Sequence, residues 1–311
     1  MTSAGDVKGN AGEKGDSASP QSSDGEGQKT VSQNPSALKV LWRNRYARVG
    51  LIITAAFFIM GFVGPLVYPK PTIDLAHVFA PPSLQHPLGT DYLGRDTLGD
   101  IIYGTAYILE VTFLAALIGT GIGVIVGIAS GYFRGALGSL LMAITDIVLT
   151  IPGMILILVV ASVVRSSNPL VVAGVLSVTA WAGFARAVRS QILSLRSSLF
   201  IEEARLLNLS SFHIIFRELM PNVMSYTAIN FIFSVQGALF ASVGLYFLGV
   251  LPFSAYNWGV MLSEATSFGA FLAPSLAVYL ISPIAVITLF TVGLIYLSFG
   301  IDEVFNPRTR R

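Results

Sequence analysis

No cysteine occurs in the 311 residues, which excludes disulfides and thiolate chemistry together. Charge is scarce as well: Asp, Glu, Lys and Arg make up 12% of the chain against 53% hydrophobic residues, too little to cover an ordinary water-facing surface. Histidine is limited to three, His77, His86 and His213. The chain has no Gly-x4-Gly-Lys-Ser/Thr run, so the Gly-rich "GNAGEKGDS" near the start reads as low-complexity linker and not as a phosphate loop. A His-Glu-x-x-His metalloprotease signature is absent too, and none of the histidines falls at membrane depth beside a nucleophile.

What the chain does have is long apolar runs. A spanning helix needs about 20 mainly apolar residues to cross about 30 Å of hydrocarbon. Six stretches qualify: Val49 to Tyr68, Ile108 to Tyr132, Leu137 to Val164, Leu170 to Arg186, Val223 to Val250 and Ser275 to Gly300. They are apolar on every side and far longer than the alternating strands of about ten residues that build outer-membrane barrels. The expectation is an all-α polytopic membrane protein with six transmembrane helices. The third stretch contains Pro152 and Gly153, and proline removes a backbone donor and favours a kink there.

The first 36 residues are rich in Gly, Ser, Asp, Lys and Gln and cannot bury enough apolar surface to offset their ordering entropy, so residues 1–36 read as a disordered tail ahead of a membrane domain over 37–311. No apolar core of a signal peptide follows within the first thirty residues. Positive residues accumulate in cytoplasmic loops. Lys39, Arg43, Arg45, Arg48, Arg134, Arg186, Arg189, Arg196, Arg205, Arg217, Arg308, Arg310 and Arg311 fall on one side, against Lys70, Arg95 and Arg165 on the other. Both termini are therefore expected in the cytoplasm of a cell membrane protein.

The same bias places the charged island "EEARLLNLSSFHIIFRELMP", Glu202 to Pro221, in a cytoplasmic loop between spans four and five. Phe200, Ala204 and Leu207 form one helical stripe, and Phe212, Ile215, Phe216, Leu219 and Met220 another. Asn208 tolerates the left-handed turn between them, Ser210 or Ser211 can cap the second helix, and Pro221 ends that helix or starts the next. The expected result is a helix, a sharp turn and a helix along the inner face of the membrane. Helices that float on an anionic leaflet are basic on their polar face. This one mixes Glu202, Glu203, Arg205, His213, Arg217 and Glu218, which suits a protein groove better.

These residues resemble the EAA loop of ABC-importer permeases, a pattern of Glu-Ala-Ala, a turn glycine and a closing Ile-x-Leu-Pro. Glu202 stands at its Glu, Glu203 and Ala204 at its two Ala, Asn208 at its Gly, Phe216 near its Ile, and Met220-Pro221 at its Leu-Pro. Glu203 and Asn208 depart from the pattern. "HPLGTDYLGRDTLGDIIYG", "TDIVLTIPGMIL", "YFLGV" with "NWGVML", and "GIDEVFNPR" are similar in order and spacing to the C-type permease subunit of the dipeptide, oligopeptide and nickel importer group, over roughly Pro81 to Arg308. Ala106 stands where that group commonly has Arg.

The resemblance implies one of two permeases that together form a translocation path, here paired with a B-type subunit, driven by two cytosolic ATPase subunits and supplied by an extracytoplasmic solute-binding protein. The island is then the coupling helix. Its ATPase-facing candidates are Glu202, Glu203, Ala204, Arg205, Asn208, Phe212, Ile215, Phe216, Arg217, Leu219 and Pro221. The solutes of such importers include peptides, oligosaccharides and nickel. ATP hydrolysis would reside in the partners, the remaining partner is membrane lipid, and neither a cofactor, a metal nor a nucleic acid is implied.

Outside the island, Gly119, Gly123, Gly127 and Gly131 recur every four residues on span two, the spacing of a close helix–helix seam. Glu110 and Asp146 are the acidic side chains within the spans, and intramembrane carboxylates are candidates for a solute path. For Asp146, six residues before the Pro152 kink, a structural bond to freed backbone or a nearby Arg is the stronger expectation. His86, Asp91 and Asp96 lie close in sequence, but turns at Gly89 and Gly94 with Asp caps explain them without a metal. Trp258 reads as an interfacial anchor. A secondary carrier or channel would also be polytopic and charge-poor, but should show inverted repeats or charged pore rings, and it leaves the island unexplained.

Overall fold

The computed structural model describes residues 42–133, 135–252 and 256–305. Among them helix is the regular structure, apart from an isolated bridge between Thr90 and Asp96. The long helices are α1 (Arg45–Phe62), α2 (Thr97–Tyr132), α3 (Ala136–Thr150), α4 (Gly153–Val164), α5 (Pro169–Leu195), α6 (Leu199–Leu206), α7 (Met220–Phe247), α8 (Trp258–Ser267) and α9 (Ala277–Phe305). The proposed tail, with Arg134, Arg308, Arg310 and Arg311, lies outside the described residues.

Five helices are long and apolar enough to cross a membrane, and the number is six if α3 and α4 are taken as one broken span. The two meet at 87°. This is far more than a proline kink in a continuous helix: Ile151 leaves the helix in an extended conformation, and Pro152 then stands as N-cap of α4. The third apolar stretch is thus two helices.

Helix limits and apolar limits differ wherever a capping residue lies beyond the apolar run. α2 starts eleven residues before Ile108 because Asp96 accepts a hydrogen bond from Gly99 N at 2.8 Å, which ties down a free amide of the first turn. At 36 residues it is about 54 Å long, more than a bilayer's hydrocarbon requires. The fourth span, short as an apolar run, is a full 27-residue helix. Asn168 caps it, Pro169 takes the first position that needs no amide donor, and the helix continues past Arg186 and Arg189.

α2 and α5 lie against each other along the glycine seam. A Cβ on Gly123 would stand 2.7 Å from the Phe184 ring and 3.1 Å from Trp181 O; on Gly127 it would meet Val188 at 2.6 Å and Ala185 O at 2.8 Å. Gly119 meets Ala180 and Gly131 meets Ile192 in the same way, whereas Gly121 faces open space. The seam is therefore a backbone-to-backbone approach that only glycine allows.

Trp258 is not an interfacial anchor. Its side chain is fully buried, packs edge-on to Phe57 and Phe290 at 5.9 and 6.3 Å between ring centres, and directs Nε1 to Ile101 O at 3.5 Å. α8 tucks beneath the ends of α2, α7 and α9, and that places the indole at the centre of the largest apolar cluster.

Candidate functional site

The island is one turn-linked unit. α6 ends at Leu206, Asn208 adopts φ 54, and the two closing bonds run from Asn208 N to Arg205 O and from Leu209 N to Ala204 O. This is a left-handed helix stop of the kind glycine usually makes, with asparagine in its place. Ser210 then accepts a hydrogen bond from His213 N at 3.2 Å and opens the next helix.

That next helix does not lie separately along a membrane face. It passes through a π-helical turn, Ile214–Leu219, straight into α7, so that Ser211 to Phe247 is one helical run. Met220 N donates to Ile215 O, five residues back. Pro221 has no N–H, and its ring would press on the Arg217 carbonyl in a regular helix; the wider turn relieves that conflict, so Pro221 continues the helix.

Which residues face inward differs in part from the expected stripes. Ile201 and Ala204 of α6, with Ile214 and Leu219 of the π turn, are buried against Ile128 of α2 and Phe184, Val188 and Ile192 of α5. Phe200 and Leu207 face outward instead, because α6 is rotated so that Ile201 fills the gap. Arg205 stacks 5.9 Å over the Tyr132 ring, whose hydroxyl lies 3.3 Å from Ser211 Oγ.

The outward surface is apolar at its centre. Leu206 is 84% exposed, Leu207 73% and Phe212 70%, and the Phe212 and Phe216 rings stand 4.3 Å apart. Exposed Glu202, Glu203, Arg205, Asn208 and Arg217 surround them, with Pro221 at the edge and Ile215 half-buried beneath. Of the expected docking residues, Ala204 and Leu219 belong to the inner, anchoring face. Leu206 and Leu207 join this outer face although neither was among the expected docking residues; a pair of leucines directly before a turn asparagine was the available signal.

At the other end of α2 lies a second cluster of charges, all of it buried. Arg95 Nη2 stands 2.6 Å from Asp91, 3.6 Å from Asp100 and 3.8 Å from Glu264. Asp91 also accepts from Leu93 N and Arg95 N, at 2.8 and 2.7 Å. Tyr279 donates to Glu264 at 2.8 Å. Burial opposes the charge on Arg95, but Asp100 and Asp91 outweigh it and its pKa is raised. Burial raises the Glu264 carboxyl despite Tyr279 and Arg95, and pushes the Tyr68 hydroxyl, bonded to Asp96 at 2.6 Å, up to about 12. His86 Nδ1 lies 3.2 Å from Asp96, which also caps α2. The acids of "HPLGTDYLGRD" are thus occupied by turns, a cap and Arg95.

Asp146 pairs with Arg186 across α3 and α5, and both side chains are more than half exposed. Glu110 is exposed on α2 at a recess of about 280 Å³ walled by Phe58, Phe62, Phe113 and Phe231, and no hydrogen bond or ion pair satisfies it among the described residues. A further cleft of about 320 Å³ between α2, α4, α5 and α7 carries Thr179, Asn230 and Ser234. Thr179 stands on α5, and Asn230 and Ser234 stand on α7. For Asn230 and Ser234 the signal in the sequence was their i, i+4 spacing on a single helical face.

Two family profiles match the chain: "Binding-protein-dependent transport system inner membrane component" over 123–311 and "N-terminal TM domain of oligopeptide transport permease C" over 32–82. The dipeptide transport system permease protein DppC of Bacillus subtilis is 30% identical over 91% of this chain and 88% of its own length. The oligopeptide transport system permease protein OppC of Mycobacterium tuberculosis is 31% identical over 86% of this chain and 92% of its own length. The glutathione transport system permease protein GsiD of Shigella dysenteriae is 29% identical over 86% and 90%. With one profile covering more than half of its length and a relative at 30% identity across most of it, the chain belongs to the binding-protein-dependent transport system inner membrane component family and is a membrane permease of ABC importers.

Proposed function

We propose that this permease imports peptides, as half of a translocation path completed by a second, B-type permease and driven by two cytosolic ATPase subunits, with solute delivered by an extracytoplasmic binding protein. The solute reading rests on the dipeptide, oligopeptide and glutathione systems named for the relatives. The orientation rests on the lysine and arginine bias, with both termini and the island on the cytoplasmic side.

The observation that carries the coupling role is the two-faced island: an inner face locked on α2 and α5, and an outer face with bare Leu206, Leu207, Phe212 and Phe216. An apolar centre ringed by mixed charge is the anatomy of a protein-docking surface. Because the second half of the island is continuous with α7, a push on Phe212 or Phe216 is delivered to that span as a rigid body. ATP binding would move the docked ATPase, and the bundle would change packing in response. Along the path, Glu110 and the cleft at Thr179, Asn230 and Ser234 are candidate solute contacts, since exposed polar groups at membrane depth belong beside water or protein.

The experiment is co-purification of the ATPase subunits with Phe216→Asp and Glu202→Lys variants. Membrane insertion should stay intact while ATPase recovery falls more than tenfold for Phe216→Asp, the loss of a buried anchor worth about 2 kcal/mol. Unchanged recovery with normal transport would reduce the island to an interfacial float. A reporter fused after Arg311 that became active outside the cell would overturn the orientation.

A further inference from the structure

We infer that the cavity beside Arg165 holds the terminal carboxylate of the incoming peptide, an inference that rests on the peptide reading above. The cavity, of about 620 Å³, lies at the end of the bundle opposite the island, between the last turns of α4 and α7 and the body of α8. Its polar walls are the Arg165 guanidinium, the Ser162 and Ser263 hydroxyls and Tyr246, set against Val250 and Val260. It is a recess built from three helices, with two serines beside a cation, the Ser162 hydroxyl already donating to Val159 O at 2.7 Å.

Arg165 is held for this role by its backbone. It closes α4 in the left-handed conformation, φ 41, with its amide on Ala161 O, and its Nε donates to Ser162 O at 3.0 Å. No carboxylate lies within salt-bridge distance of it among the described residues. That contrasts with Arg95, which has three acids around it, and with Arg186, which has Asp146. A guanidinium offers paired, planar donors that match a carboxylate, and the Ser263 hydroxyl can complete the set.

A second feature fixes the kind of ligand. Tyr246, at the base of the cavity, shares a hydrogen bond of 2.5 Å with Tyr107, and Tyr107 sits one turn before Glu110 on α2. Among the described residues, a guanidinium and a carboxylate that both lack an ion-pair partner are thus linked through one phenol pair, although Glu110 itself opens into the separate recess beside Phe58, Phe62, Phe113 and Phe231. A peptide with free ends carries the complementary charges, a carboxylate at one terminus and an ammonium at the other. A lipid phosphate would engage Arg165 alone and would leave the acidic partner beyond the tyrosines without purpose.

The test uses the complete importer, with both permeases, the ATPases and the binding protein, in proteoliposomes. A mixed tri- and tetrapeptide library is offered as free acids and as C-terminal amides. Luminal peptide is read by mass spectrometry and divided by the amount of the same form that the binding protein carries. Arg165→Asn removes the charge and tolerates the left-handed backbone, and Arg165→Lys keeps the charge. Wild type should favour free acids by about tenfold, the effect of one charge-assisted hydrogen-bond pair. Arg165→Asn should lower free-acid uptake to the amide level with amide uptake unchanged, and Arg165→Lys should retain part of the preference. Equal loss of both forms, as a lipid headgroup or partner contact would give, overturns the inference. So does a preference that survives Arg165→Asn. Absence of peptide uptake by wild type overturns the peptide reading, and this inference with it.

Discussion

The two ends of α2 are held in place by opposite chemistry. Near Thr97, one buried guanidinium is surrounded by Asp91, Asp100 and Glu264, with backbone amides on Asp91 and Tyr279 on Glu264, while the Asp100 oxygens have only the Arg95 charge to face. Near Tyr132, the island is held almost wholly by packed Ile, Val, Leu and Phe side chains, and its charges face outward. Buried ions are costly unless every one is paired, and they fix a single arrangement of the groups that share them. Apolar contacts are non-directional and let a unit be carried as a body while keeping its seat. The contrast suits the coupling role proposed for the island, with a static cap at one end and a driven lever at the other.

The contrast breaks most completely at Arg95. Arg95→Met would leave three buried carboxylates without their common cation, a loss of about 3–5 kcal/mol, and folded protein recovered in detergent should drop sharply. At the island end the comparable charge change, Arg217→Met, should leave recovery unchanged, since that side chain faces outward.

Between the ends, the glycine seam sharpens the picture. Gly127→Leu must push a side chain into Val188 and the Ala185 carbonyl, at a cost of about 2 kcal/mol. A Cβ at Gly121 on the same helix meets nothing within 4 Å, and Gly121→Leu should be neutral. Thermal melts of the two variants measure the difference.

Acidity separates the ends in a milder way. Burial raises the Glu264 carboxyl above its ordinary 4.5, so the folded protein holds that proton more tightly than the unfolded chain. The stability this lends is whole below 4.5 and is lost as pH rises through the raised folded value. Melts across that range should slope downward for wild type, and Glu264→Gln should flatten the slope. The smallest effect belongs to the exposed pair of Asp146 and Arg186: Asp146→Asn should shift stability by less than about 1 kcal/mol, measurable in the same melts.

Much of this was legible residue by residue. The helical class followed from apolar runs that no soluble helix needs, the left-handed turn from Asn208, and the close seam from glycine every fourth position. The limits of the helices were less legible, because Asp96 and Asn168 start α2 and α5 from outside the apolar runs. The rotation of α6 was hidden because Phe200, Ile201 and Leu207 are all apolar, and pattern alone cannot say which of them meets α2 and α5. Trp258 was misread for a related reason: an indole suits an interface or a core equally, and the choice depends on where α8 tucks.

The sequence by itself determined the solvent, the helical class, the charge bias and the existence of a charged island, since each depends on local composition and spacing. Only the tertiary structure decided that Arg95 is shared by three acids from separate elements, that the island's second half is the root of α7, and that Arg165 opens into a cavity with no acid beside it among the described residues. Glu264 reaches Arg95 from a distant helix and the Arg165 cavity draws on three helices, so those partners are fixed when the helices pack, not when they form.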